Sequence, residues 1–363
     1  MTLRVIPLCL AAAFGAVAVA AWVPVAGTAA TAAPAPPAPA GAPIPLAEVR
    51  TWAYQIQGLD RPGAIDELAN SPYDLLVVEP TRTETGSDFD TRGMVRRLKA
   101  APAGDGRHGK RVLAYLSIGE AEQWRWYWTW PKWPRRQPRP EGLPAFIIHP
   151  DPDGWGGCFP VAYWDPAWKD LVIYGARQPA APDRDFTSML GEVLRDGFDG
   201  VYLDWVEAYD DRPVAEAARK AGVDARAEMV ALMAAIRAEG RRRNPDFLVI
   251  QQNAASLIED RPEVLEAVDG IGQEDTWCLG RAGDKWDDPR GYDKPQKPAD
   301  TKEYLRLLDL YRKAGKVVLT VDYTVTHAAE VYARSRERGY VPYCTRISLA
   351  RLTTTPPPTR SAP

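Results

Sequence analysis

The sequence is short of the residues that build metal and redox centres. It has 4 cysteines and 3 histidines in 363 residues. No pair of cysteines has CxxC or metal-ligand spacing, and His108, His149 and His327 are scattered, which argues against a structural zinc site. Excess basic charge is also missing: 45 Lys and Arg stand against 48 Asp and Glu, a net charge of -3. Nucleic acid and anionic membrane both require a concentrated basic surface, so neither is an expected partner. No basic stop-transfer cluster follows the single long apolar run, and no Gly-rich phosphate cradle is evident. What is abundant is aromatic: 13 Trp and 15 Tyr. Some of these rings must pack the core, and others can offer flat faces to sugar rings.

The N-terminus reads as an export signal. Arg4 precedes the apolar run 6–23, and small residues at 26–30 lead into Ala/Pro-rich sequence. The expected organisation is a signal peptide (1–31), an extended linker (32–46), one catalytic domain (47–352) and a disordered tail (353–363). Such a protein would be secreted or, if the leader is retained as an anchor, associated with the cell envelope. Without the leader the cysteines are Cys158, Cys278 and Cys344, so at most one internal disulfide can form. Cys158 and Cys278 lie in loop-like sequence and could pair; Cys344 sits in an apolar strand.

Eight short β-rich runs follow in order, at 51–56, 74–78, 111–116, 200–204, 247–251, 270–274, 316–321 and 340–344. Several are nearly continuous apolar runs, as expected of parallel strands covered on both faces. Helical patterns separate them. Residues 187–196 carry Met189, Leu190, Val193 and Leu194 on one face, with Gly197 as a stop. Residues 226–243 repeat that spacing, and 301–313 do so again with Thr301 as N-cap and Gly315 as stop. The alternation predicts a parallel α/β sheet, closed into a single (β/α)8 TIM-type barrel or left open and doubly wound; eight strands favour closure.

In a barrel the reactive groups stand at the C-terminal strand ends. Here these ends carry Tyr54 and Gln55, then Glu79, then Tyr115, Ser117, Glu120 and Glu122. The fourth brings Asp204, Trp205 and Glu207; the fifth Gln251, Gln252 and Asn253; the sixth Glu274, Asp275 and Trp277; the seventh Asp322 and Tyr323. Carboxylates without His or Cys ligands fit either an oxygen-ligated divalent cation or an acid paired with a nucleophile or base. The neighbouring rings, Trp124, Trp126, Trp128 and Tyr209 among them, favour the second, because stacking surfaces are useful to a sugar and not to a metal cage. No metal or other cofactor is therefore expected. The run 124–133 reads as a long loop partly covering the mouth.

The stretches YLSIGEAE (115–122), DGVYLDWVEAY (199–209) and GIGQED (270–275), with QQN (251–253), resemble the motifs of the endo-α-1,4-polygalactosaminidase family, glycoside hydrolase family 114. The resemblance runs from about Trp52 to about Ile347. It implies a (β/α)8 barrel that hydrolyses α-1,4-linked galactosamine polymers from within the chain. It also implies two catalytic carboxylates, matching Asp204 as nucleophile and Glu274 as acid/base of a retaining reaction. The substrate's free amines would be cationic, and Glu79, Glu120, Glu207 and Asp322 could pair with them. A carbohydrate-binding barrel without catalysis is a second reading, and a metal-dependent phosphate-ester hydrolase a third. Oligomeric state is not legible.

Overall fold

The computed structural model describes residues 41–80, 89–152, 155–175, 184–280 and 294–353. The expected leader lies outside the described residues, as do most of the linker and all of the tail but Thr353. The end of the expected linker is already part of the folded body: Ile44 is fully buried and its carbonyl accepts from Arg111 Nε at 2.7 Å. Thr353 is likewise buried, with Tyr73 and Tyr343 bonded to its backbone.

Eight parallel strands form a (β/α)8 barrel: β1 (Trp52–Gln55), β2 (Leu75–Val78), β3 (Arg111–Ser117), β4 (Gly200–Asp204), β5 (Leu248–Gln252), β6 (Gly270–Glu274), β7 (Val317–Asp322) and β8 (Val341–Cys344). Each pairs with the next in chain order. The seam between β8 and β1 is bridged by side chains and a loop. Trp52 and Tyr343 approach to 5.9 Å, and the Ile56 and Gln57 amides donate to the Leu349 carbonyl. Helices cover the outside, the longest being Ala225–Arg243 and Pro298–Lys313. The second of these starts earlier than expected, because Pro298 with its preset φ occupies the first turn. Thr301 accordingly does not cap it; its hydroxyl donates to the Thr276 carbonyl.

Acids at the N-terminal strand ends are structural. Asp74, Asp199 and Asp269 each precede an even strand and accept the backbone amide of Thr51, Val112 and Val249, each within one residue of the start of the preceding odd strand. A buried carboxylate spent on amides sets the stagger of neighbouring strands and leaves the opposite end for chemistry.

The barrel is filled by rings. Tyr54 lies 5.3 Å from Tyr202 and 6.2 Å from Tyr115, and Trp52 packs 5.9 Å from Tyr202. Gly272 on β6 makes room for this: a Cβ there would come within 2.1 Å of the Tyr202 hydroxyl. The rings form a low-dielectric floor directly beneath the strand ends.

A long insertion joins β3 to β4. Its antiparallel pair, Glu120–Glu122 with Cys158–Pro160, stands on the C-terminal side of the barrel. Trp126, Trp128, Trp130 and Trp133 pack with Tyr127, Phe146, Phe159 and Trp168 into a second aromatic core, with Trp128 4.8 Å from Phe159. Trp126 and Trp128 are thus packing residues of this insertion, which corrects their expected use as sugar platforms. No disulfide joins Cys158, Cys278 and Cys344, all of which are buried. No described helix is long and apolar enough to cross a membrane.

Candidate active site

Three successive strands end in the same local device. Trp205 after β4, Asn253 after β5 and Asp275 after β6 all adopt left-handed backbone, with φ of 58°, 54° and 53°. Such conformations cost L-residues energy and persist where the surroundings hold them in place. Here they turn the chain sharply outward, so that Asp204 and Glu274, the last strand residues, stand at the rim of the aromatic floor.

Asn253 organises the acids. Its Oδ1 accepts the Glu274 backbone amide at 3.0 Å and Gln273 Nε2 at 3.1 Å, which fixes the orientation of the amide. Its Nδ2 therefore donates, to Glu274 Oε2 at 2.9 Å and to Glu207 Oε1 at 3.3 Å. The Tyr323 hydroxyl donates to the other Glu274 oxygen, Oε1. Asp204 accepts from the Tyr115 hydroxyl at 2.5 Å and from the Trp205 amide. Tyr54 completes the ring by donating to Gln252 Oε1 at 3.2 Å.

Burial over the ring-lined floor raises the Asp204 carboxyl to about 7, and the Glu274 charge adds to the rise. Burial also lifts Glu207 to about 8, with the Asp204 charge next, and Asp275 to about 8, with Glu274 next. The site therefore holds several carboxyls that exchange protons near neutrality, the condition for dividing acid and nucleophile roles between two of them.

Of the residues expected at the site, Tyr54, Tyr115, Asp204, Trp205, Glu207, Gln252, Asn253, Glu274 and Asp275 are brought together at this end. Four others are committed elsewhere. Asp322 accepts the Trp277 and Cys278 amides at 2.5 and 2.8 Å; strand alternation turns it away from the mouth while Tyr323 faces in. Trp277 is buried, donating to Ser335 Oγ under the Arg334 guanidinium, and so is not a sugar platform. Gln55 Nε2 holds the Gln57 and Ala350 carbonyls. Glu79 is paired with Arg125 and is not open to a substrate ammonium. Ser117 lies buried beside β4, opposite Asp204 in register, with no partner for its hydroxyl among the described residues.

Arg125 was not foreseen. It is buried, and its guanidinium bonds Glu79 and, at 2.5 Å, Glu122, bridging β2 to the insertion. The local sequence offers only Glu122, three residues before it; Glu79 is 46 residues away. Tyr323 and Gln273 were visible only as polar strand-end residues. Among the described residues, one group of side chains is close enough to share a metal ion: Glu48 in the short helical turn before β1, and Asp105 and His108 in the loop before β3. It is far from this chemistry in the fold's plan.

The glycoside-hydrolase family GH114 model matches residues 28–358. An uncharacterized protein of Deinococcus radiodurans is 34% identical over 315 residues, covering 85% of this chain and 83% of its own. Another, from Methanocaldococcus jannaschii, is 30% identical, covering 80% of this chain and 74% of its own. Two solved structures share the fold at low identity. The glycoside hydrolase domain of PelA from Pseudomonas aeruginosa has TM-score 0.52 at 17% identity, covering 84% of this chain and 98% of that domain. Aspergillus fumigatus Ega3 in complex with galactosamine has TM-score 0.53 at 14% identity, covering 85% and 96%. A family match over nearly the whole chain, on a barrel whose mouth gathers paired carboxylates, settles the class: the chain belongs to glycoside-hydrolase family GH114.

Proposed function

We propose that this glycoside hydrolase is secreted and cleaves α-1,4-linked galactosamine polymers at internal bonds, using Asp204 and Glu274. The observation that carries the reading is the pair itself: two rim carboxyls over one aromatic floor, close enough for the charge of Glu274 to raise Asp204. The relative crystallised with galactosamine supports the sugar. The acids gathered at the mouth, without an ion pair among the described residues, support its cationic form, since a galactosamine polymer carries an ammonium group on each residue.

In this reading Asp204 attacks the anomeric carbon while Glu274 protonates the departing oxygen, and water then hydrolyses the glycosyl ester with Glu274 as base. The two carboxyls start from different surroundings. Glu274 accepts from both Asn253 and Tyr323, whereas Asp204 sits near neutrality in its titration. An arriving ammonium favours ionised Asp204, so substrate binding itself sets the protonation that attack requires.

The test is reducing-end release from de-N-acetylated polygalactosamine, its N-acetylated form and a neutral galactan. Cleavage of the first, with a rapid fall in polymer length, is expected; preference for either uncharged polymer contradicts the substrate. Azide treatment of Glu274→Ala acting on an activated galactosaminide should give the α-configured azide. The β-azide would exchange the roles of the two carboxyls.

A further inference from the structure

The β6 side of the mouth carries a carboxyl that the catalytic steps above do not use. Asp275 follows Glu274 directly, on left-handed backbone with φ 53°. Its Oδ1 accepts the Gly280 amide at 3.3 Å; its Oδ2 has no partner among the described residues and is not closed off from solvent. It differs in this from the acids first expected to meet an ammonium. Glu79 and Asp322 are committed to Arg125 and to backbone amides, and Glu120 and Glu207 each keep one oxygen sealed from solvent. The turn carrying Asp275 is firmly seated on the start of the next helix. Gln296 Nε2 donates to the Asp275 carbonyl at 3.0 Å, the Gln296 amide to the Trp277 carbonyl at 2.8 Å, and the Thr301 hydroxyl to the Thr276 carbonyl at 2.9 Å. A strained residue held this way, with a carboxylate oxygen left unused, is placed for ligand contact.

The helix Pro298–Lys313 brings a phenol to the same place. It follows β6 and runs back along the barrel, so its first turns stand at the level of the mouth. Leu308 is fully buried and the Tyr311 hydroxyl lies 3.5 Å from Gln251 Oε1 of β5, so this face of the helix is turned to the barrel. Tyr304, four residues before Leu308 and seven before Tyr311, shares that face. It is half-buried, and its hydroxyl has no partner among the described residues and is not closed off from solvent. Burial raises the phenol first; the Asp275 charge comes next, ahead of Asp300, Glu207 and Glu274, so the hydroxyl stands among the acids of the mouth.

We infer that Asp275 and Tyr304 form a subsite for the amino-sugar unit adjoining the scissile bond, Asp275 receiving its ammonium group and the Tyr304 hydroxyl bonding a sugar oxygen. This rests on the cationic-substrate reading above and names a receptor for it. Burial and the Glu274 charge hold the Asp275 carboxyl at about 8, and an arriving ammonium favours its ionised form. The phenol donates or accepts, a contact that an N-acetylated sugar shares. The carboxyl therefore governs selectivity for the free amine, and Tyr304 governs affinity for the chain.

The test is steady-state kinetics of Asp275→Asn, Tyr304→Phe and Tyr304→Ala on galactosamine oligomers and their N-acetylated counterparts, with circular dichroism to confirm folding. Asp275→Asn should lose about 10- to 100-fold of the preference in kcat/KM for free amine over N-acetyl substrate, the range of one charge-assisted hydrogen bond. A disturbance of the neighbouring Glu274 would slow both substrates alike and leave that ratio unmoved. Tyr304→Phe should raise KM for both substrates about 3- to 10-fold with kcat nearly unchanged, the range of one neutral hydrogen bond, and Tyr304→Ala should raise it at least as far. An unchanged preference in Asp275→Asn, whether or not its rate falls, or wild-type KM in both Tyr304 variants, overturns the subsite and leaves the substrate reading standing. Failure of the wild type to cleave galactosamine oligomers overturns the substrate reading, and the subsite with it.

Discussion

Replacing Arg125 with Gln removes the cation that two buried carboxylates share. Glu79 and Glu122 are 1% and 3% exposed, and both bond the guanidinium. Breaking a buried ion pair by removing one partner costs about 3–5 kcal/mol, because the other charge is left desolvated. Against a total stability of about 5–15 kcal/mol, that is a large fraction. Urea unfolding followed by tryptophan fluorescence at about pH 8.5 should show this loss as a lower midpoint with little change in slope. Burial already pushes Glu79 up while Arg125 pulls it down, so without Arg125 its folded pKa climbs further above the unfolded value. A carboxyl shifted that way costs stability above its folded pKa and nothing below its unfolded one, near 4. The added penalty should thus be largest above about pH 8, where wild-type Glu79 ionises, and shrink as the pH falls through that value. Adding Glu79→Gln to Arg125→Gln should recover part of the loss, whereas Glu79→Gln alone should destabilise. A loss under about 1 kcal/mol, or one independent of pH, would refute the argument.

The same linkage gives Asp204→Asn the opposite sign. The Asp204 carboxyl is raised to about 7, so the variant should be more stable above pH 7 and equal to wild type below pH 4. The gain is at most about 4 kcal/mol from the displaced pKa, and less in practice because the group keeps some solvent contact; thermal melts across that range check it. Asn253→Ala frees both Glu274 and Glu207 and should lower kcat about 10- to 100-fold while leaving the circular dichroism spectrum unchanged. Gly272→Ala drives a methyl group into the Tyr202 ring and should destabilise by about 1–3 kcal/mol in urea, a loss that Tyr202→Phe relieves in part by removing the hydroxyl nearest the new Cβ.

The strand plan was legible because parallel barrel strands are short apolar runs at regular intervals; the fourth and sixth coincide with their expected bounds, Gly200–Asp204 and Gly270–Glu274. Asp204 and Glu274 were legible because each is its strand's last residue, and Asn253 because it follows β5 directly. Asp322 and Trp277 show where this rule fails. One step along a strand reverses a side chain, and sequence does not reveal whether residue 322 or 323 faces inward. Trp277 follows that turn outward, under Arg334. Arg125 was hidden because it meets Glu79 through an insertion whose path no periodicity describes. The tryptophan run is the reverse case: an unusual composition used mainly to pack a second core.

The central claim is that Asp204 and Glu274 act as a pair on one bond. The measurement that tests it most directly is kcat on de-N-acetylated polygalactosamine for Asp204→Asn and Glu274→Gln, each shown to be folded. Both should fall at least about 10³-fold, and the double variant should lose little more than either single, because the two groups work as a unit. Either single variant retaining a tenth or more of wild-type kcat would contradict the account.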